Sequence, residues 1–139
     1  NYVARNGHKP VLPAHLRDVG EEIRQAMQMP DPPARKYFTE KSTGRQAMQF
    51  LIDAGEVVDV SPDLVLGAAQ FHRYRLLVKQ HLREHGQATA SELRMAMEST
   101  RRIVIPLLEK MDRDGVTVRR GNVRMLRPIN ENQISPTEN

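Results

Sequence analysis

The chain has no cysteine and no tryptophan, only three tyrosines and three phenylalanines, and no long apolar run. Without cysteine it can have neither a disulfide framework nor a thiolate metal site, and a reducing compartment fits. With aromatics at 4% of residues, any core must be built from Leu, Ile, Val, Met and Ala, which favours small helical or mixed domains. No stretch approaches the roughly 20 apolar residues of a membrane span, and the first residues lack the apolar segment of a secretion signal. The expected setting is therefore cytoplasmic, with no membrane partner. The sequence opens at Asn1 without a methionine and reads as part of something larger.

Charge is abundant and unevenly placed. Residues 1–69 carry 8 Lys/Arg against 9 Asp/Glu, whereas residues 70–127 carry 13 against 6. The basic excess thus sits in the second half, the electrostatic footprint of a polyanionic partner. Arginine pairs mark its extremes in TRRIVIPLLEKMDRDGVTVRRGNVRMLR, residues 100–127. There Arg101 and Arg102 precede an apolar helical stripe, and Arg119 and Arg120 follow it.

The two halves follow one plan. In the first, AHLRDVGEEIRQAM (14–27) has helical apolar spacing, and the MPDPP segment breaks it. ARKYFTEK is a short amphipathic segment, TGRQAMQFLIDAG a helix stopped by Gly55, and EVVDV and DLVL two short strands. In the second, FHRYRLLVKQHLREHG is a helix ending at Gly86, and ATASELRMAM begins with Thr89 and Glu92 at capping-box spacing. Residues 101–114 form a third helix stopped by Gly115. VTVRR and VRMLR pair across Gly121-Asn122, residues that tolerate positive φ in a hairpin. Helix, helix, helix, strand, wing, strand is the winged-helix order. The expected fold is mainly α with small β-hairpins, as tandem winged helices over 1–69 and 70–127, with a disordered polar tail over 128–139.

In this plan the third helix presents its N-terminal turn to nucleic acid. Two guanidinium groups there add fork-shaped donors to a site already favourable to phosphate. The candidate contacts are Arg101, Arg102, Arg119, Arg120 and Arg124, with Gly121 and Asn122 letting the wing approach closely. Strand alternation places Arg119 and Arg120 on opposite faces, so one of the two is a candidate structural arginine. Pro106, inside the third helix, forfeits a backbone bond to residue 102 and is a candidate bend.

Catalytic signals are absent. His81 and His85 stand four apart with no third metal ligand. Asp112 and Asp114 read as caps or ion-pair partners rather than an acid pair. No phosphate-cradling glycine loop occurs, and no Ser/His/Asp set can be placed. The expectation is a monomeric binding module without metal or cofactor, not an enzyme.

The run TRRIVIPLLEKMDRDGVTVRRGNVRMLRP resembles the end of the bacterial selenocysteine-specific elongation factor family, SelB. The matching features are Arg101 and Arg102, Ile105 to Glu109, Asp112, Arg113, Gly115, Thr117, Arg119 to Asn122, Leu126 and Arg127. Upstream, HGQATASELRMAM resembles that family's preceding helices, and His8 to Pro10 its opening of a penultimate unit. The resemblance implies a fragment of a GTPase whose GTP- and magnesium-binding portion lies outside this chain. It also implies that the last winged helix binds the SECIS hairpin of selenoprotein mRNA, so that the full-length protein brings selenocysteinyl-tRNA to the ribosome at a UGA codon. The first unit is then a spacer, with Arg35, Lys36 and Lys41 as its cations toward ribosome or tRNA, or else a direct contributor to RNA affinity. The rival readings are a DNA-binding transcriptional regulator and a protein-interaction module.

Overall fold

The computed structural model describes residues 11–128. The His8 to Pro10 motif and the expected tail from residue 129 onward lie outside that range. The chain divides into two compact units, with the division between Arg75 and Leu76.

In the first unit a single 3-10 turn, Ala14–Leu16, leads into α1, Arg17–Ala26. Leu16, Ile23 and Ala26 face inward at helical spacing. After the proline break come α2, Lys36–Thr39, and α3, Ser42–Asp53. These two helices cross so closely that a Cβ on Gly44 would stand 1.6 Å from the carbonyl oxygen of Phe38, where only glycine fits. Strands β1, Val57–Asp59, and β2, Val65–Gly67, form an antiparallel hairpin. Its core joins Leu16, Ile23, Phe38, Met48, Leu51 and Val65.

Helix α4, Ala68–His85, follows without a loop. Its first turns belong to the first unit: the Ala68 N–H donates to the Glu56 carbonyl at 3.0 Å, and Gln70 Nε2 to the Pro30 carbonyl at 3.1 Å. These bonds explain why the division falls inside the helix rather than at the 69/70 boundary expected from charge and composition.

The second unit continues with β3, Ala88–Thr89, α5, Ala90–Met97, α6, Arg101–Arg113, β4, Thr117–Arg120, and β5, Val123–Leu126. The sheet order is β3-β5-β4, all antiparallel, so β5 is central. Strand β3 is a third strand beyond the hairpin expected from sequence; at two residues it is too short to show alternation. The capping box at the start of α5 is closed: Glu92 N–H donates to Thr89 Oγ1 at 3.1 Å, and Thr89 N–H to Glu92 Oε1 at 2.8 Å. Helix α6 runs unbroken through Pro106.

The third helices of both units stop in the same way. Gly55 and Gly115 have φ of 80° and 79°, the left-handed conformation that glycine adopts at least cost. Beyond each, Glu56 N–H reaches the Leu51 carbonyl and Val116 N–H the Met111 carbonyl, both at 2.9 Å, completing a Schellman stop. Counted back from each glycine, the buried positions coincide: Leu51, Met48 and Ala47 against Met111, Leu108 and Leu107. Three helices and a hairpin with this register make each unit a winged helix.

Candidate nucleic-acid interface

The N-terminus of α6 is open where that of α5 is closed. Thr100 occupies the cap position with extended backbone but makes no side-chain cap bond, and its carbonyl accepts from Ile103 at 3.1 Å and Val104 at 2.9 Å. The first-turn N–H groups of a helix lack intrahelical acceptors and carry the positive end of its dipole. Arg101 and Arg102 are exposed on that turn, while Ile103, Val104, Leu107 and Leu108 anchor the helix behind them. Sequence and packing thus produce a rigid helix end carrying two guanidinium groups and an uncapped dipole.

The wing turn is as tight as its sequence implies. Arg120 pairs with Val123, leaving Gly121 and Asn122 as a two-residue loop. Gly121 has φ of 63°, and among the described residues Asn122 does not share a positive φ. Positive φ at the first loop position alone is the pattern of a type II′ turn, whose twist matches the flanking strands. Arg119, Arg120, Gly121 and Asn122 are all exposed. Arg119 Nε donates to the Gly121 carbonyl at 3.0 Å, which holds its guanidinium at the tip.

Arg124 is not part of this exposed set, contrary to its place among the sequence candidates. It is 5% exposed, and its guanidinium faces α6. Nε donates to Asp112 Oδ1 and Oδ2 at 3.1 Å each, and Nη2 to Oδ2 at 2.9 Å. Thr117 Oγ1 donates to Asp112 Oδ1 at 2.5 Å. One carboxylate on α6 therefore holds both strands of the wing. The structural arginine expected from alternation is Arg124, not Arg119 or Arg120. Its charge is neutralised, so Arg119, directly across the ladder, is spared an uncompensated like-charge neighbour. Asp112 and Thr117, which sequence reasoning did not place at the interface, carry this positioning role. Their signal was a carboxylate and a hydroxyl straddling the helix-stopping Gly115.

The corresponding parts of the first unit have a different electrostatic character. Its wing carries Asp59 and Asp63, and Arg35 Nη2 is bound to Asp59 at 2.7 Å. Arg45 Nη1 donates to the carbonyls of Thr39 at 3.0 Å and Glu40 at 3.2 Å, closing the end of α2. Arg24 binds Glu56 through Nε and Nη2, both at 2.9 Å, and Glu21 through Nη1 at 2.8 Å. The hydrogen bond to Glu56 raises the Arg24 pKa above its ordinary value, against the desolvation that lowers it. Arg24, Arg35 and Arg45 thus serve the fold, Arg35 being one of the cations that the spacer reading turned toward ribosome or tRNA.

His81 and His85 are stacked with ring centroids 4.1 Å apart, and His85 Nδ1 lies 3.0 Å from the His81 carbonyl oxygen. Among the described residues no three metal-ligand side chains cluster, and no helix is long and apolar enough to cross a membrane.

Residues 80–126 match the family model described as elongation factor SelB, winged helix. Over those residues the second unit resembles a SelB winged helix. Both units together share their fold with the mRNA-binding domain of elongation factor SelB from E. coli, solved in complex with SECIS RNA. That match has a TM-score of 0.67 at 18% identity and covers 84% of this chain and all of that one. A bacterial selenocysteine-specific elongation factor, EF-Sec, matches with a TM-score of 0.65 at 16% identity over 84% of this chain. The chain spans only 20% of that longer protein. Among curated proteins no sequence matches significantly.

Proposed function

We propose that the second unit binds the SECIS hairpin of a selenoprotein mRNA, through the open N-terminus of α6 and the wing turn. It does so in the cytoplasm, as the mRNA-binding end of a selenocysteine-specific elongation factor. The single observation that carries this reading is the SelB winged-helix match over residues 80–126, which spans both groups of exposed arginines. The E. coli domain of the same fold, solved with SECIS RNA, supports it.

The physical mechanism follows from the geometry of RNA. An A-form helix closes its deep groove to side chains, so specific recognition falls on looped-out bases and on the backbone. Arg101 and Arg102 offer bidentate donors to phosphate beside the α6 dipole. Arg119 and Arg120 offer a second contact from a turn with no bulk at Gly121. Neither group needs metal or nucleotide, and this chain acts as a binding module rather than a catalyst. GTP and magnesium belong to the rest of the full-length protein, as do selenocysteinyl-tRNA and the ribosome.

The test is binding to a SECIS-type hairpin with a bulged and a looped-out base, across a salt series, beside duplex DNA of equal length. The expected result is preference for the hairpin, with a salt slope of roughly three to six phosphate contacts. Arg101→Ala and Arg102→Ala each shrink that slope. Equal or tighter binding to DNA would overturn the reading and make the protein a winged-helix transcriptional regulator.

A further inference from the structure

Helix α4 carries a second group of cations that the α6 and wing interface does not use. Between Ala68 and His85 it holds four Lys or Arg residues and a single acid, Glu84. Its buried row is Phe71, Tyr74, Val78 and Leu82, the spacing of one helix face. One residue further on, His72, Arg75, Lys79 and Arg83 repeat that spacing as a parallel row. The row is about 16 Å long at the helical rise per residue, and Glu84 falls outside it. His72 and Arg83 are exposed; Arg75 and Lys79 are half-buried, as long cationic stems are when they lie along an apolar flank with the head in solvent.

A helix needing only solubility would offset these charges with acids one turn away, as Glu21 offsets Arg24 on α1 at 2.8 Å. Here, among the described residues, no ion pair engages Arg75, Lys79 or Arg83. The row's one ring is the His72 imidazole at its first position; it holds no Phe, Tyr or Trp, and Tyr74 beside it is buried. Cationic at three of its four positions and without a Phe, Tyr or Trp ring to stack a base, it fits a regular polyphosphate edge rather than an unpaired loop.

We propose that the His72, Arg75, Lys79 and Arg83 face of α4 is a second RNA-binding surface, one that grips the sugar-phosphate backbone of double-stranded RNA without reading its sequence. The choice of RNA as the polyanion rests on the reading of the α6 interface. The duplex has two possible sources with the same chemistry: the stem of the hairpin bound by α6, or a separate structured RNA.

The experiment compares the intact chain with its Lys79→Gln/Arg83→Gln variant on three ligands. These are a minimal apical stem-loop, the same apex on a long stem, and a plain RNA duplex with no apex. In the variant, affinity for the plain duplex falls by about tenfold and its salt slope by about two contacts, while the minimal stem-loop binds as before. If the source is the hairpin's own stem, the long-stem ligand also loses its advantage over the minimal one. If it is a separate RNA, both hairpins are unaffected and only the duplex arm changes. Lys79→Arg, which keeps the charge, restores binding, and Arg75→Gln alone lowers the slope by about one. Arg101→Ala/Arg102→Ala removes the apical preference and leaves the duplex arm intact. Failure of the α6 reading would therefore appear separately, as no apical preference in the unaltered chain. Duplex affinity and slope unchanged in the variant, no duplex binding by the unaltered chain, or loss confined to anionic lipid vesicles would each overturn the proposal.

Discussion

Two arginines four residues apart in sequence, Arg120 and Arg124, show how little the residue type says about its role. Arg120 is exposed beside the wing turn, whereas Arg124, on the central strand, is saturated by Asp112. Removing one partner of a buried ion pair leaves an uncompensated charge. Arg124→Ala or Asp112→Ala therefore destabilises the second unit by about 3 kcal/mol, the low end of the usual range because Asp112 keeps some exposure. The expected signature of Arg124→Ala is a lowered melting temperature, with the salt slope of RNA binding preserved at temperatures where the unit stays folded. Arg120→Ala behaves in the opposite way: the melting temperature is unchanged and the slope falls by about one phosphate contact. Thermal melts beside salt titrations of the two variants check this, and a slope change in Arg124→Ala without loss of stability would return that residue to the RNA surface.

At the scale of elements, the open N-terminus of α6 gains its meaning from the closed one of α5. The Glu92 carboxyl is held below its ordinary range, chiefly by the hydrogen bond from the Thr89 backbone N–H, with the Thr89 hydroxyl bond and the nearby His81 and His85 helping and desolvation opposing. A carboxylate depressed in the folded state adds stability that is fully present above its unfolded pKa of about 4.3 and is lost as pH falls through the lower folded value. Glu92→Gln keeps the capping geometry but cannot titrate. The stability difference between the parent chain and this variant should be largest above about pH 5 and vanish in stronger acid. Urea unfolding at a series of pH values measures it; a gap that persists at low pH would mean that the charge contributes nothing. Most elements were legible in the sequence, because helical apolar spacing and the Gly55 and Gly115 stops are local signals. Strand β3 was not, since two residues bonded to β5 have no period of their own. The role of Arg124 was hidden for a related reason: alternation tells which face an arginine takes, but not whether a carboxylate twelve residues away in sequence meets it there. The cationic row of α4 was in plain view, although its helix was read for the apolar row beside it.

Across the whole molecule, one fold repeated in sequence engages its arginines differently in each copy, and on the proposed reading the exposed ones decide which copy meets RNA. The first unit binds Arg24, Arg35 and Arg45 to its own carboxylates and carbonyls and places Asp59 and Asp63 at its wing. The second leaves Arg101, Arg119 and Arg120 exposed, and neutralises Arg124 internally. Counterion release scales with the phosphates neutralised, so affinity and its salt dependence should follow the second set of cations. In the intact chain, neutralising Lys36 and Lys41, both exposed lysines among the described residues of the first unit, should leave hairpin affinity within about twofold and the salt slope unchanged. Neutralising Arg101 and Arg102 should cost at least tenfold, with a slope lower by about two. Equilibrium titrations at several salt concentrations, on identical hairpins, decide between the two sets. A slope reduced equally by both pairs of substitutions would mean that the first unit is a second gripping surface rather than a spacer, and that its acidic wing faces away from the RNA.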